Sequence, residues 1–390
     1  IISGLMASGT DINLHENAAG EIEMQGFPAL QGFDSKPYQR EAKFYDVMNW
    51  LSQQPRLMLQ DINLRYTRYN GAQTLLTLRD LNFGNSDSEH LIYGKAILQQ
   101  ALPTEVTVAI RWLGSQFDPS KIQAKGYFYV SGMSISQWLT GQSWQGWQLR
   151  DGVMSAKIWV SWSQNQLGRI QTTFQIFNAN LFSATDKSTY KVNRLSGDVG
   201  WKRQGDGFVV AGDDILIDLP NHLWPTTSFS AQFKTDDKNK VALKLLNIGY
   251  IDIKDALRIL FASPPILNNE IKTTIAKLNL AGALQNLALT FGDDIHNLKT
   301  TTGSAQLINL NVAPWQQWPG LQRFSADLKW NGEQGVVSLK GKRTVLAYDS
   351  LFLKPIELNQ LSGDIVYQYT PEQGIVLRST GLQVMNNDML

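Results

Sequence analysis

Apolar and polar residues alternate along most of the chain. Ile62, Leu64 and Tyr66 fall on one side of an extended segment, with Asp61, Asn63, Arg65 and Thr67 on the other. Val106, Val108, Ile110 and Trp112 repeat the arrangement, as do Ala156, Ile158, Val160 and Trp162. Since residues i and i+2 of a strand share a face, each segment predicts a β-strand with one apolar and one polar side. The pattern returns at Phe174 with Ile176, Ile215 with Ile217 and Leu219, and Phe229 with Ala231 and Phe233. It continues through Val241, Leu243 and Leu245, then Leu287, Leu289 and Phe291, and Phe324, Ala326, Leu328 and Trp330. Buried parallel strands would be apolar on both faces and separated by crossover helices. The expected fold is therefore mainly β: an elongated, twisted antiparallel sheet curled into an open groove, with a few short capping helices.

Turn chemistry separates these strands. YNG at 69–71, QGDG at 204–207, NGEQG at 331–335 and PEQG at 371–374 supply glycine and asparagine where hairpins need positive φ. Helical periodicity is confined to residues 41–54, 134–140 and 253–263, the last stopped by Pro264 and Pro265, with a further turn over 313–320. Segments beginning at Leu195, Phe324 and Leu361 share a layout of strand, glycine-bearing turn and strand. They predict hairpin-like repeat units near 195–219, 324–348 and 361–385.

Composition narrows the function. With 35 Lys+Arg against 34 Asp+Glu the chain offers no polybasic surface, so nucleic acid is not an expected partner. Zero cysteines exclude thiolate chemistry, a disulfide framework and cysteine zinc sites. No segment supplies the roughly 20 apolar residues of a spanning helix, and the first residues do not form a secretory signal. All 390 residues are read as an internal fragment of an elongated β-groove domain from a longer extracytoplasmic chain.

Catalytic chemistry finds little support. His15, His90, His222 and His296 lack metal-ligand spacing. The carboxylate pairs Asp213–Asp214 and Asp293–Asp294 sit at turn-like positions, and adjacency does not set two carboxyls facing each other across a substrate. The chain has no GxSxG elbow, phosphate-binding loop or dinucleotide fingerprint. No catalytic residue, metal or cofactor is expected. Twelve tryptophans, twelve tyrosines and sixteen phenylalanines remain, clustered at Trp144–Trp147, Trp159–Trp162 and Trp315–Trp318, where rings can stack on sugars, pack against acyl chains or settle at a wet interface.

The order of several segments resembles the AsmA-like superfamily, in its YhdP branch from Gram-negative bacteria. LSQQPRLMLQDINLRYTRYNGAQTLLTLRDLNF at 51–83 is followed by HLIYGKAILQQALPTEVTVAIRWLG at 90–114 and SGMSISQWLTG at 131–141. The hairpin at Leu195 and the stretch from Pro319 through Asp388, with FLKPIELNQLSGDIVY, extend the likeness. What the resemblance implies is a non-enzymatic periplasmic lipid-transfer protein with a repeating β-groove, serving outer-membrane biogenesis. Its partners would be phospholipids and the inner and outer membranes, reached through parts of the full-length chain absent here, including an N-terminal inner-membrane helix; any envelope protein partners stay unidentified. The resemblance carries over no catalytic residue. Candidate groove-lining residues are Val106, Val108, Ile110, Ile158, Val160, Phe174, Ile176, Phe324, Leu328, Ile365 and Tyr367. The alternatives are a secreted or periplasmic β-rich polysaccharide-binding protein and a glycan-acting enzyme.

Overall fold

The structure, a computed structural model, describes residues 4–17, 22–25, 54–86, 88–99, 103–114, 121–138, 143, 146–164, 166–236, 240–264, 269–292, 298–316, 318–348, 351–370, 372 and 374–386. The chain divides into two compact units. The first comprises Ile1–Thr140, Arg150–Ala179 and Asp198–Lys202, and the second Gly141–Leu149, Asn180–Gly197 and Arg203–Leu390.

The chain opens with β1 (Leu5–Ser8), β2 (Asp11–Glu16), β3 (Ile22–Gln25), β4 (Arg56–Thr67), β5 (Gln73–Asn85) and β6 (Glu89–Gln99). Then come β7 (Thr104–Leu113), β8 (Gln123–Ser134), α1 (Ile135–Trp138), β9 (Trp147–Ser163), β10 (Gln166–Ser183) and β11 (Thr189–Gln204). The last three strands each contribute residues to both units. The remainder is β12 (Gly207–Leu219), β13 (His222–Leu223), β14 (Thr227–Thr235), β15 (Val241–Asp252), α2 (Ile253–Ala262), α3 (Asn269–Leu278), β16 (Ala281–Thr290), β17 (Thr302–Val312), β18 (Gly320–Asn331), β19 (Gln334–Ala347), β20 (Ile356–Thr370) and β21 (Gly374–Met385).

In the first unit β4 through β9 form a meander of antiparallel neighbours. β1 and β2 both run parallel to β4, an addition to the antiparallel expectation. In the second unit β12 pairs β14, and β14 through β21 pair in succession, all antiparallel. The NGEQG turn joins β18 to β19, with Asn331 opposite Gln334. Helices 253–262 and 135–138 form where the sequence predicts them, and Asp252 caps α2 by accepting from the Asp255 N–H at 2.9 Å. Helix α3 has no counterpart in the sequence reading. The helix expected over 41–54 lies largely outside the described residues, and the turn expected over 313–320 appears as a bridge between Trp315 and Trp318.

Long strands here are not uniformly extended. Asp61, Asn178, Asp214, Asn286, Asn309, Arg323 and Arg343 lie within strands at φ between 50° and 56°. A single left-handed residue turns the strand by one position, so residues three apart end on the same face. Leu59 and Ile62 flank Asp61 in this way, Leu284 and Leu287 flank Asn286, and Leu307 and Leu310 flank Asn309. Leu321 and Phe324 flank Arg323, which places Phe324 in the buried cluster with Ala326 and Leu339. One expected alternation breaks. A bulge beside Gln232 sets Leu243 opposite Phe233 and Leu246 opposite Ala231, so Leu245 leaves the Leu243 face and stands exposed.

Candidate functional site: an unsealed apolar sheet face

Residues directly opposite in an antiparallel pair share a face, so printed registers can be read as rows across the strands. In the first unit one row runs Leu57, Phe83, Ile92, Ile110, Gly126 and Val160, from β4 to β9. Beside it runs Leu59, Leu81, Gly94, Val108, Phe128 and Ile158, and then Ile62, Leu78, Ala96, Val106, Val130 and Ala156. Every position in these rows is aliphatic, phenylalanine or glycine. Five inter-strand steps of about 4.8 Å make the face roughly 24 Å wide.

Gly94 is required in its row, because a Cβ there would come within 1.8 Å of the Asp80 carbonyl oxygen. Val106, Val108, Ile110, Ile158 and Val160 are thus all on one face, and all are half-buried rather than sealed. Phe174 and Ile176 occupy the less exposed side of β10, alternating with exposed Thr173, Gln175 and Phe177. Phe128 and Ile92 belong to the same face as the first five and are absent from the sequence-derived set. Only their register, which sequence does not provide, adds them.

The second unit builds a comparable face. Its longest row runs Val210, Ala231, Leu246, Leu289, Gly303, Trp330, Gly335, Tyr367 and Leu377. Trp330 lies flat over Gly303, where a Cβ would meet the ring at 2.4 Å. The adjacent row carries Ala305, Leu328, Val337 and Ile365. Ile365 and Val337 also pack against the Phe324 cluster. Phe324, Leu328, Ile365 and Tyr367 therefore lie on a single side.

Helix α2 closes part of this second unit. Ser183 donates to the Ala262 carbonyl at 2.5 Å, and the Trp147 indole N–H donates to Ser263 at 3.2 Å. At the other end Trp224 Nε1 donates to Asp255 at 3.0 Å, and His222 Nδ1 lies 3.0 Å from the same oxygen. A cavity of about 280 Å³ lies between helix and strands, walled mainly by Trp147, Leu181, Val192, Leu219 and Ile259. Its polar groups gather at Tyr190 and Arg258, whose guanidinium stands 4.8 Å over the tyrosine ring. Burial, then the hydrogen bond to Asp186, hold the Tyr190 phenol above the ordinary tyrosine range, so it donates to that carboxylate. This volume, near the ~300 Å³ lower limit of small-molecule pockets, suits part of one acyl chain rather than a whole lipid.

His222, Asp252 and Asp255 form the one grouping with metal-ligand atoms close together among the described residues. Their atoms are already committed: Asp252 caps α2, and Asp255 accepts from Trp224 beside His222. The trio clamps the helix. What the two apolar faces can do is shield hydrocarbon from water.

A β-sheet that leaves an apolar face half-buried is consistent with a groove protein of the lipid-transport class. The chain matches the YhdP protein family over residues 4–389 and belongs to it, within the periplasmic AsmA-like superfamily. No curated protein and no solved structure matches the chain. Among the described residues no helix is long and apolar enough to cross a membrane.

Proposed function

We propose that the chain binds phospholipid acyl chains on its apolar β-faces and conducts them between the inner and outer membranes, with headgroups kept at the open, wet side. The observation that carries this reading is the set of uninterrupted apolar rows from β4 to β9, in which Val106, Val108, Ile110, Ile158 and Val160 stay only half-buried. Each methylene removed from water contributes about 0.8 kcal/mol, so ten methylenes on such a face lower the aqueous barrier by roughly 8 kcal/mol. Membership in the YhdP family supports the same reading, and with it periplasmic residence and inner-membrane anchoring of the full-length protein. Candidate lining is Val106, Val108, Ile110, Ile158, Val160, Phe174 and Ile176 in the first unit, and Phe324, Leu328, Ile365 and Tyr367 in the second.

Lipid extraction and native mass spectrometry after gentle purification test the proposal. Co-purifying phospholipid of more than one headgroup type is the expected result. Absence of acyl-chain ligands, together with failure to bind phospholipids offered in vesicles, overturns it.

A further inference from the structure

The cavity between α2 and the strands has a chemistry that the open sheet faces lack. Tyr190 and Val192 share a side of β11, alternating with exposed Thr189, Lys191 and Asn193. Leu181 shares a side of β10 with Ser183, and the Ser183 hydroxyl bonds to the last residue of α2, so this side faces the helix. From α2, Asp255, Arg258 and Ile259, three and four residues apart, meet the same space. Trp147 joins them edge-on to Tyr190, with ring centroids 5.3 Å apart. Ile259 is 50% exposed, which leaves the apolar wall in contact with water.

The charges around this cavity are unequally committed. Asp186 accepts the Ser188 N–H at 3.0 Å and the Tyr190 hydroxyl, and the bond from Tyr190 is the main cause holding its carboxyl below the ordinary aspartate range. Asp255 is engaged by Trp224 and His222. Lys191 falls on the other side of β11 from Tyr190 and Val192. Arg258 is left: its guanidinium stands over the Tyr190 ring and pairs with no carboxylate among the described residues. A free cation beside a hydrocarbon-lined cavity complements a ligand with an apolar chain and one anionic head. The volume of about 280 Å³ has room for one chain rather than two.

We propose that this cavity is a discrete site for a long-chain fatty-acid anion, with hydrocarbon packed against Trp147, Leu181, Val192, Leu219 and Ile259 and the carboxylate paired with Arg258. For the hydrocarbon the proposal rests on the acyl-chain reading above, whereas the head is assigned from Arg258. Every residue of the site belongs to the second unit.

The test uses palmitate carrying a photoreactive diazirine at mid-chain, irradiated with the purified chain, and adducts mapped by peptide mass spectrometry. Diazirine-bearing hexadecanol supplies a neutral head, and a diazirine phosphatidylglycerol in phosphatidylcholine vesicles supplies a two-chain anionic lipid. Palmitate adducts are expected within 180–192 and 253–262, with labelling there by either comparison probe lower by about tenfold. Arg258→Gln should reduce palmitate labelling of these segments by about tenfold and Arg258→Lys by less, while adducts on β4–β9 stay unchanged. Circular dichroism first establishes that both variants are folded. Absence of palmitate adducts from 180–192 and 253–262 overturns the proposal, as does equal labelling there by hexadecanol or phosphatidylglycerol. Indifference to Arg258→Gln, or a loss that extends equally to β4–β9, overturns it too. Adducts at the cavity with none on β4–β9 would sustain this site and contradict the open-face path, so the two failures are distinguishable.

Discussion

Arg323 and Arg343, on the adjacent antiparallel strands β18 and β19, share a left-handed backbone, at φ 56° and 55°, and a single carboxylate oxygen. Glu357 Oε1 lies 3.3 Å from Arg323 Nη2 and 3.0 Å from Arg343 Nε, and Arg323 Nε also donates to the Arg343 carbonyl at 2.8 Å. The two side chains tie down a place where both strands turn by one position. That turn keeps Leu321 and Phe324 on the apolar side. All three side chains are well exposed, so the ion pairs themselves contribute little. The backbone geometry matters more.

Asn309 is the clearest test of that geometry. Its φ is 50°, and its N–H donates to Ser325 at 3.1 Å. Asn309→Gly should leave stability nearly unchanged, whereas Asn309→Val should cost about 1–2 kcal/mol, because a β-branched residue is strained in the left-handed region. Urea denaturation of the two variants measures the difference. Equal stabilities would mean the strand turn is not held by this residue.

The clamp on α2 gives a second expectation. Asp255→Ala removes the acceptor of the nearly buried Trp224 indole and the partner of His222, leaving the indole N–H without a bond. A loss of about 1–3 kcal/mol follows. It should come with faster hydrogen exchange along 253–262, while amides of β18 and β19 keep their protection. Uniform loosening of both regions would contradict a local clamp.

His90 sets a pH dependence. It is buried against Trp112, with ring centroids 4.8 Å apart, and Nδ1 lies 2.9 Å from the Asn85 side-chain oxygen. Burial lowers its pKa below the ordinary histidine range. The unfolded chain then binds more protons than the folded one, so stability is complete above about pH 6.5 and falls as pH drops through that value toward the folded pKa. Thermal midpoints measured between pH 7.5 and 5 should decline, and the decline should be smaller in His90→Gln. An identical slope in the variant would assign the effect elsewhere.

Much of this architecture is legible in the residues. Period-two alternation locates most strands, the Asn331–Gly335 turn locates a hairpin, and Pro264 marks the end of α2. Val106, Val108 and Ile110 share a face within β7, and Ile158 and Val160 within β9, because alternation within a strand is a local property. What escapes is the phase between stretches. The alternating sets starting at Ile62, Ile215, Leu287 and Phe324 each begin just after a left-handed residue, namely Asp61, Asp214, Asn286 and Arg323. Such residues read as ordinary polar positions, and only long-range pairing selects their conformation. Register is the other missing quantity: it brings Phe128 beside Ile158 and expels Leu245.

The most direct test of acyl-chain binding places a carboxylate on the apolar face and counts the lipid retained. Ile110→Asp, Val160→Asp and Ile365→Asp put an unpaired, hydration-demanding group among the rows. Ser161→Asp and Val366→Asp place the same group one residue away on the opposite side. Circular dichroism and denaturation first establish that each variant is folded. Native mass spectrometry should then show phospholipid occupancy reduced by about tenfold or more in the first set and preserved in the second. Folded variants of the first set that retain wild-type occupancy, or an equal loss in both sets, would contradict the assignment of these faces as the lipid path.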